Sequence, residues 1–184
     1  MQNKPTTVRK MPQTPFHLDR DSLREAAMKL GDGAVTEGYK GNREEVIAML
    51  NGALATELVC VLRYKRHYFT ASGLENESIK AEFLAHALEE DAHANQIAER
   101  IVQLNGEPDF NPRQLSERSH ADYDDSGDIK AMVRANLLAE RIAIEAYRQM
   151  IERIGDDDPT TRHMLVSIMA KEEEHASDMS DLLE

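Results

Sequence analysis

The sequence predicts an all-α protein: a bundle of four long helices, with a long connection between the second and third and a short helix ahead of the first. Three observations carry this. Four stretches place apolar residues in steps of three and four over roughly 25–30 residues each, the period of an α-helix with one buried face. The composition has no tryptophan, 5% aromatic residues, 9 glycines and 6 prolines in 184 residues, which suits helices and argues against a sandwich or barrel. Residues 107–127 are polar and hold two prolines, a connection long for adjacent antiparallel helices and suited to a crossover between two halves of a bundle. The length points to one domain with room for a core without disulfides. Its expected organisation is an N-terminal extension over 1–41 and the bundle over 42–184.

Residues 1–20 hold three of the six prolines with Lys4, Arg9 and Lys10, and read as a disordered leader. The alternative is a basic arm that touches DNA or a neighbouring subunit. Asp21 or Ser22 is placed to cap a short helix through about Leu30, ended by Gly31. Asn42 with Glu45 three residues on resembles a capping box and starts the first long helix. That helix runs to about Ser72, with Gly73 ending it and a stripe of Val46, Leu50, Ala53, Glu57, Val61, Tyr64 and Tyr68. Leu58, Val59 and Leu62 lie off the stripe, so a second buried face is expected, with another subunit as one candidate to cover it. The second long helix spans about Ser78 to Asn105, closed by Gly106, with Phe83, Ala87, Glu90, His93, Ala94, Ile97, Ile101 and Leu104 on its stripe. Gln114 to Ser119 has room for one or two helical turns. The third starts near Asp128 and ends at Gly155, with Val133, Leu137, Glu140, Ala143, Ile144, Tyr147, Ile151 and Ile154. The fourth opens on Asp158 with Pro159 at the first helical position, and carries Leu165, Ile168, Glu172, His175, Met179 and Leu182.

Six polar residues interrupt these apolar stripes. Glu90 and His93 are three apart, as are Glu172 and His175, so each pair lies on one face of its helix about a turn apart. A lone glutamate precedes each pair: Glu57 lies 33 residues before Glu90, and Glu140 lies 32 before Glu172. The chain thus repeats one unit, a helix with an inward Glu followed by a helix with an inward Glu-x-x-His. A buried glutamate is costly unless its charge is met. Four carboxylates carry −4 and two divalent cations carry +4, which removes the repulsion that would otherwise keep some groups protonated. Four carboxylates and two imidazoles facing one bundle core make a two-metal site. Oxygen and nitrogen donors without thiolate suit iron or manganese and tolerate zinc. A single Glu-x-x-His on an acidic helix arises easily by chance, and Glu172 alone, beside Glu173 and Glu174, reads as a solvated charge run. The matched pairs on apolar stripes are far more specific.

Neighbouring residues carry weaker signals. Tyr64 and Tyr147 follow Glu57 and Glu140 by two turns, and read as core residues with a hydrogen-bonded hydroxyl. Glu145 falls away from the stripe, toward solvent or an interface. His86, one turn before Glu90, is either a group behind the ligands or a ligand on the pore side. Cys60 reads as a small core residue, whereas His17, His67, His120 and His163 show no usable spacing.

The net charge of −12 disfavours nonspecific nucleic-acid binding and suits the gathering of cations. One cysteine excludes an intrachain disulfide and points to a reducing compartment. With no 18-residue apolar run for a membrane span and no signal-peptide pattern, a cytoplasmic location is expected.

Over about 42–184 the pattern resembles the ferritin-like superfamily. Glu57-Leu58-Val59 followed by Tyr64 resembles the first ligand helix of bacterioferritins, and Glu90-x-x-His93, Glu140 and Glu172-x-x-His175 match that family's remaining ligands. The resemblance implies an antiparallel four-helix bundle with a crossover and a di-iron ferroxidase centre. In that centre Glu57 and His93 are terminal on one ion, Glu140 and His175 are terminal on the other, and Glu90 and Glu172 bridge. Haem-binding bacterioferritins carry methionine directly after the bridging glutamate of the second helix; Asp91 stands there, so no bridging haem is expected. The fifth helix of 24-subunit cages is not expected. With its N-terminal extension and the segment Asp157-Asp158-Pro159-Thr160-Thr161, the chain looks more like Dps-like proteins with a bacterioferritin-type centre, which form 12-subunit cages and use peroxide well. Some of those hold a cysteine pair near the site. Here the corresponding stretch reads Arg141-Ile142-Ala143, so no thiol role is expected.

The function expected is Fe(II) oxidation with O2 or H2O2 at the paired site and storage of Fe(III) in an oligomeric cage. The alternative is a discrete dimetal peroxide scavenger, manganese catalase-like, without storage.

Overall fold

The computed structural model describes residues 16–184; most of the expected leader, and the basic arm with it, lies outside the described residues. The short first helix, α1, spans Arg20–Ala26. It starts and stops earlier than the spacing suggested. Asp19, not Asp21 or Ser22, is the cap, with its carboxylate accepting from the Asp21 N–H at 3.0 Å. No α1 residue is buried, so no packing extends the helix, and Leu30–Asp32 forms a separate 3₁₀ turn.

The four long helices are α2 (Arg43–Thr70), α3 (Glu77–Gln103), α5 (Ile129–Ile154) and α6 (Pro159–Asp181), with a single helical turn, α4 (Leu115–Arg118), in the connection. Each start has a local cause. The Asn42 side chain accepts from the Glu45 N–H at 3.3 Å, Asp128 from Ala131 at 3.0 Å and Asp158 from Thr161 at 2.9 Å, meeting backbone donors that have no partner inside the helix. After α2 the chain turns through Gly73, whose φ of 105° is open to glycine and closed to most other residues.

The chain direction follows from contacts between the ends. Arg153 near the end of α5 pairs with Glu45 at the start of α2, and Arg100 near the end of α3 pairs with Asp158 at the start of α6. Neighbouring helices are therefore antiparallel, and the bundle runs α2, α3, α6, α5 around its axis. The crossover climbs alongside α2, tied at successive heights. Asn51 donates to the Glu107 carbonyl, Thr56 accepts from the His120 N–H, Arg63 donates to the Asp122 carbonyl and Arg66 donates to the Ser126 carbonyl. Leu115 of α4 packs on Ala55 and Val59, with Leu58 half-buried beside them; this is part of the second face expected of α2, whereas Leu62 is exposed to solvent.

By length and composition α2 is apolar enough to cross a membrane, which corrects the expectation that no such run exists. Here that apolarity serves three neighbours, since α3, α4 and α5 all pack against it. The buried face of α5 also differs from its expected stripe. It is lined by Met132, Asn136, Ala139 and Met150 as well as Val133, Glu140, Ala143, Tyr147 and Ile154. Leu137, Ile144 and Ile151 are only half-buried.

The apolar core is in two blocks. One gathers Leu50, Leu54, Ile97, Ile101, Leu165 and Ile168 with their neighbours; the other gathers Phe83, Ala87, Met132, Val133 and Met179 with Tyr64. Each fully buried aliphatic or aromatic side chain contributes about 1.5–3 kcal/mol. Between the blocks all four long helices contribute buried carboxylates: Glu57, Glu90, Glu140 and Glu172, each at most 1% exposed.

Candidate metal centre

The six residues singled out by spacing meet at this level. α2 supplies Glu57, α3 supplies Glu90 and His93, α5 supplies Glu140, and α6 supplies Glu172 and His175, all buried. Of the run Glu172-Glu173-Glu174, only Glu172 turns inward. The donor atoms form two overlapping groups, Glu57–Glu90–His93–Glu172 and Glu90–Glu140–Glu172–His175, with all donors of a group within 4.8 Å of one another. Glu90 and Glu172 belong to both.

The imidazoles face inward through Nδ1. His93 Nδ1 lies 2.9 Å from Glu172, 3.1 Å from Glu90 and 3.6 Å from Glu57. His175 Nδ1 lies 3.5 Å from Glu90, 3.6 Å from Glu172 and 3.8 Å from Glu140. On its far side His175 Nε2 is 2.5 Å from Glu89. A carboxylate behind a histidine fixes its ring and leaves the inner nitrogen free to ligate. Glu89 adjoins Glu90 in one acidic run, and spacing gave no signal to separate its role.

The tyrosines do more than pack. Tyr64 donates to Glu140 at 2.6 Å and Tyr147 donates to Glu57, so each reaches a carboxylate from the other half of the bundle. Arg63 was not foreseen. It is fully buried, 3.9 Å from Glu140, and donates to Asn136 at 2.8 Å and to Cys60 Sγ at 3.3 Å. Asn136 continues to His67, which faces Asp124 of the crossover at 3.2 Å. Cys60 is buried, as its size suggested. Glu145 sits on the surface paired with Arg148.

Burial dominates the electrostatics. It pushes the Glu57 carboxyl up to about 8, with the charge of Glu90 adding to the rise. Burial and the charge of Glu57 raise Glu172 to about 7. Burial acts the same way on Glu140, but His175, Glu172 and Arg63 outweigh it and hold that carboxyl at about 2. Against the cost of burial, Glu172, Glu57 and Glu90 raise His93 to about 12, and Glu140, Glu172 and Glu90 raise His175 in the same direction. Without cations, the cluster balances its charge by holding protons.

Whether this donor set fits metal is tested by its hydrogen bonding. Glu57 Oε2, Glu90 Oε1, Glu140 Oε2 and His175 Nδ1 are buried without a hydrogen-bond partner, and Glu172 Oε1 makes no well-aligned hydrogen bond, with only His93 Nδ1 beside it at 2.9 Å. Such atoms cost about 1–3 kcal/mol each when left unmet. All five belong to residues of the two donor groups, so a pair of divalent cations held there would satisfy them. Carboxylate and imidazole donors suit iron, manganese or zinc.

The Ferritin-like domain family matches residues 47–184; the chain belongs to the ferritin-like family. A nutrient stress-induced DNA-binding protein from Synechococcus is 30% identical over 139 residues, covering 73% of this chain and 78% of the relative. A bacterioferritin from Desulfovibrio desulfuricans is 27% identical over 140 residues, covering 73% of this chain and 74% of the relative. Among solved structures, the bacterioferritin-related protein from Bacteroides fragilis, a dodecameric thioferritin, aligns with a TM-score of 0.75 at 32% identity, covering 78% of this chain and 87% of that one. Dps from Thermosynechococcus elongatus aligns with a TM-score of 0.73 at 20% identity over 77% of this chain and 91% of that one, a likeness of fold alone.

Proposed function

We propose that the chain oxidises Fe(II) with O2 or H2O2 at the six-residue centre and stores Fe(III) inside a homo-oligomeric cage. The observation that carries this is the pair of overlapping donor groups sharing Glu90 and Glu172. In this reading Glu57 and His93 hold one ion, Glu140 and His175 hold the other, and the two shared carboxylates bridge. Two bound Fe(II) ions supply two electrons at one place, the number needed to take O2 to peroxide or H2O2 to water.

The remaining residues prepare the site. Tyr147 and Tyr64 orient Glu57 and Glu140 through their hydroxyls, and Glu89 fixes the ring of His175. His175, Glu172 and Arg63 together keep Glu140 ionised. Glu57 and Glu172 hold protons until cations displace them, so metal uptake releases protons into the site's surroundings. The apolar blocks on either side of this level line the centre with apolar side chains along the bundle axis. The kinship to a dodecameric bacterioferritin-related protein supports a 12-subunit cage, and the net charge of −12 supports drawing cations toward it. The same charge weighs against DNA as a main partner. A cytoplasmic location agrees with the single cysteine.

The test is Glu90→Ala or Glu172→Ala. Rapid Fe(II) oxidation is lost in either while the assembly keeps its mass. Oxidation kinetics unchanged from the parent refute the assignment. An electron-dense core after iron loading separates storage from a discrete peroxide scavenger, which would release O2 from peroxide and form no core.

A further inference from the structure

One group of donors lies outside the six-residue centre and has no part in the function proposed above. Glu82 and His86 are a turn apart on α3, and Asp178 is on α6, one turn beyond His175; their donor atoms lie within 4.8 Å of one another. His86 is only 3% exposed, whereas the Glu82 and Asp178 side chains are 46% and 45% exposed. The group therefore has a buried nitrogen at its base and two solvent-facing carboxylates at its rim.

The hydrogen bonding fixes which ring nitrogen carries the proton. His86 Nδ1 is 3.1 Å from the Tyr64 hydroxyl. That hydroxyl has one proton and gives it to Glu140 at 2.6 Å. It can only accept from His86, so the histidine proton is on Nδ1 and the lone pair is on Nε2. Nε2 points at Asp178 Oδ2 at 3.5 Å and Glu82 Oε2 at 3.9 Å, beyond a good hydrogen bond to either. Three acceptors thus face one another with no donor among them. Donors that share one ion at about 2.0–2.2 Å lie about 3–3.5 Å apart, so small rotamer changes of the two exposed carboxylates close the set. A ligating histidine commonly donates its other N–H to a fixed acceptor, as His86 does to Tyr64.

We propose that Glu82, His86 and Asp178 form a third divalent-cation site, a one-nitrogen, two-oxygen set at the solvent-facing mouth of the bundle. Its base touches the inner centre: the His86 ring stacks on His175 with centroids 4.0 Å apart and planes 20° apart. Tyr64 bonds both His86 and Glu140. A cation held here is one ring away from the Glu140–His175 side, placed to be handed inward. The site stands on its own geometry; its role in supply rests on the inner centre being a metal site.

Crystals of the full chain grown with Zn(II) test both parts by anomalous scattering at the zinc edge. The parent is expected to show a peak within about 2.0–2.2 Å of His86 Nε2, besides those among the six inner residues. In a Glu82→Gln, Asp178→Asn variant the outer peak disappears and the inner ones remain. No outer peak in the parent, or an outer peak that survives in the variant, overturns the site. Loss of the inner peaks alone counts against the inner centre and leaves the outer site standing. For supply, the variant oxidises limiting Fe(II) at least about tenfold more slowly while oxidising the same final amount per chain. An unchanged rate overturns the supply role.

Discussion

Replacing Glu172 by Gln keeps the shape of the side chain and removes its charge, which separates a shared donor from a terminal one. Glu172 belongs to both donor groups, whereas Glu57 belongs to one. With Glu57→Gln, one group keeps all four donors and the other keeps three. With Glu172→Gln, neither group is whole. An outer carboxylate that merely orients a ligand is worth about 10–100-fold in metal affinity. A direct donor exceeds that, so Glu172→Gln weakens each of two ions by at least about a hundredfold, and the pair by at least about 10⁴-fold. Glu57→Gln leaves one ion nearly as tight as in the parent. Competition for Zn(II) against a chelator of known affinity reads both ions. The expected result is one tight ion retained in Glu57→Gln and none in Glu172→Gln. Equal losses in the two variants, or a tight pair surviving in Glu172→Gln, would refute the sharing inferred from the geometry.

The pH dependence has a definite sign. Glu57 and Glu172 have folded-state values of about 8 and about 7 against 4.5 for a free glutamate, so the folded protein binds protons that the unfolded chain releases. Their contribution to stability is complete below about pH 4.5 and is lost as pH rises through 7 to 8. The urea midpoint of metal-free protein should fall between pH 5 and 8 while Zn(II) affinity rises; a midpoint that climbs over that range contradicts this. Arg63→Met leaves Glu140 buried with one cationic neighbour fewer and frees Asn136 and the Asp122 carbonyl. Denaturant titration should show a loss of about 3–5 kcal/mol, and a loss under 1 kcal/mol would show that the arginine is expendable. Asp158 caps α6 and also binds Arg100, Tyr39 and the Thr161 hydroxyl. Asp158→Ala should cost about 2–3 kcal/mol by the same measurement, more than a cap alone, and a cost below about 0.5 kcal/mol would count against that network. Given the net charge of −12, the full chain and one lacking residues 1–20 should behave alike in a DNA gel shift. Retardation of the full chain alone would assign the basic arm a DNA contact.

The long helices were legible because each records its own boundaries. Asn42, Asp128 and the Asp158-Pro159 pair mark starts, and apolar steps of three and four mark faces. Glu57, Glu90, Glu140 and Glu172 stood out as the polar interruptions of those faces. What stayed hidden depends on partners distant in sequence. Arg63 and Asn136 are 73 residues apart, and nothing near either one predicts a buried guanidinium. Glu89 gained its place from His175, 86 residues away, and in sequence it is one acid in a run of three. The face of α5 was misread by part of a turn because Asn136 is buried through its bonds to Arg63 and His67, which an apolar count passes over. The α1 boundary was missed because an unpacked helix is set by its cap alone.

The two apolar blocks leave this bundle without a continuous greasy column along its axis. Its waist is cross-braced by ionic contacts, and the strength of that bracing depends on whether protons or metal ions occupy it. Stiffness at mid-height is therefore a property set by whatever occupies those donors. Loading the protein should tighten the four helices where they cross that level and leave their ends, each seated on its own greasy block, almost unchanged.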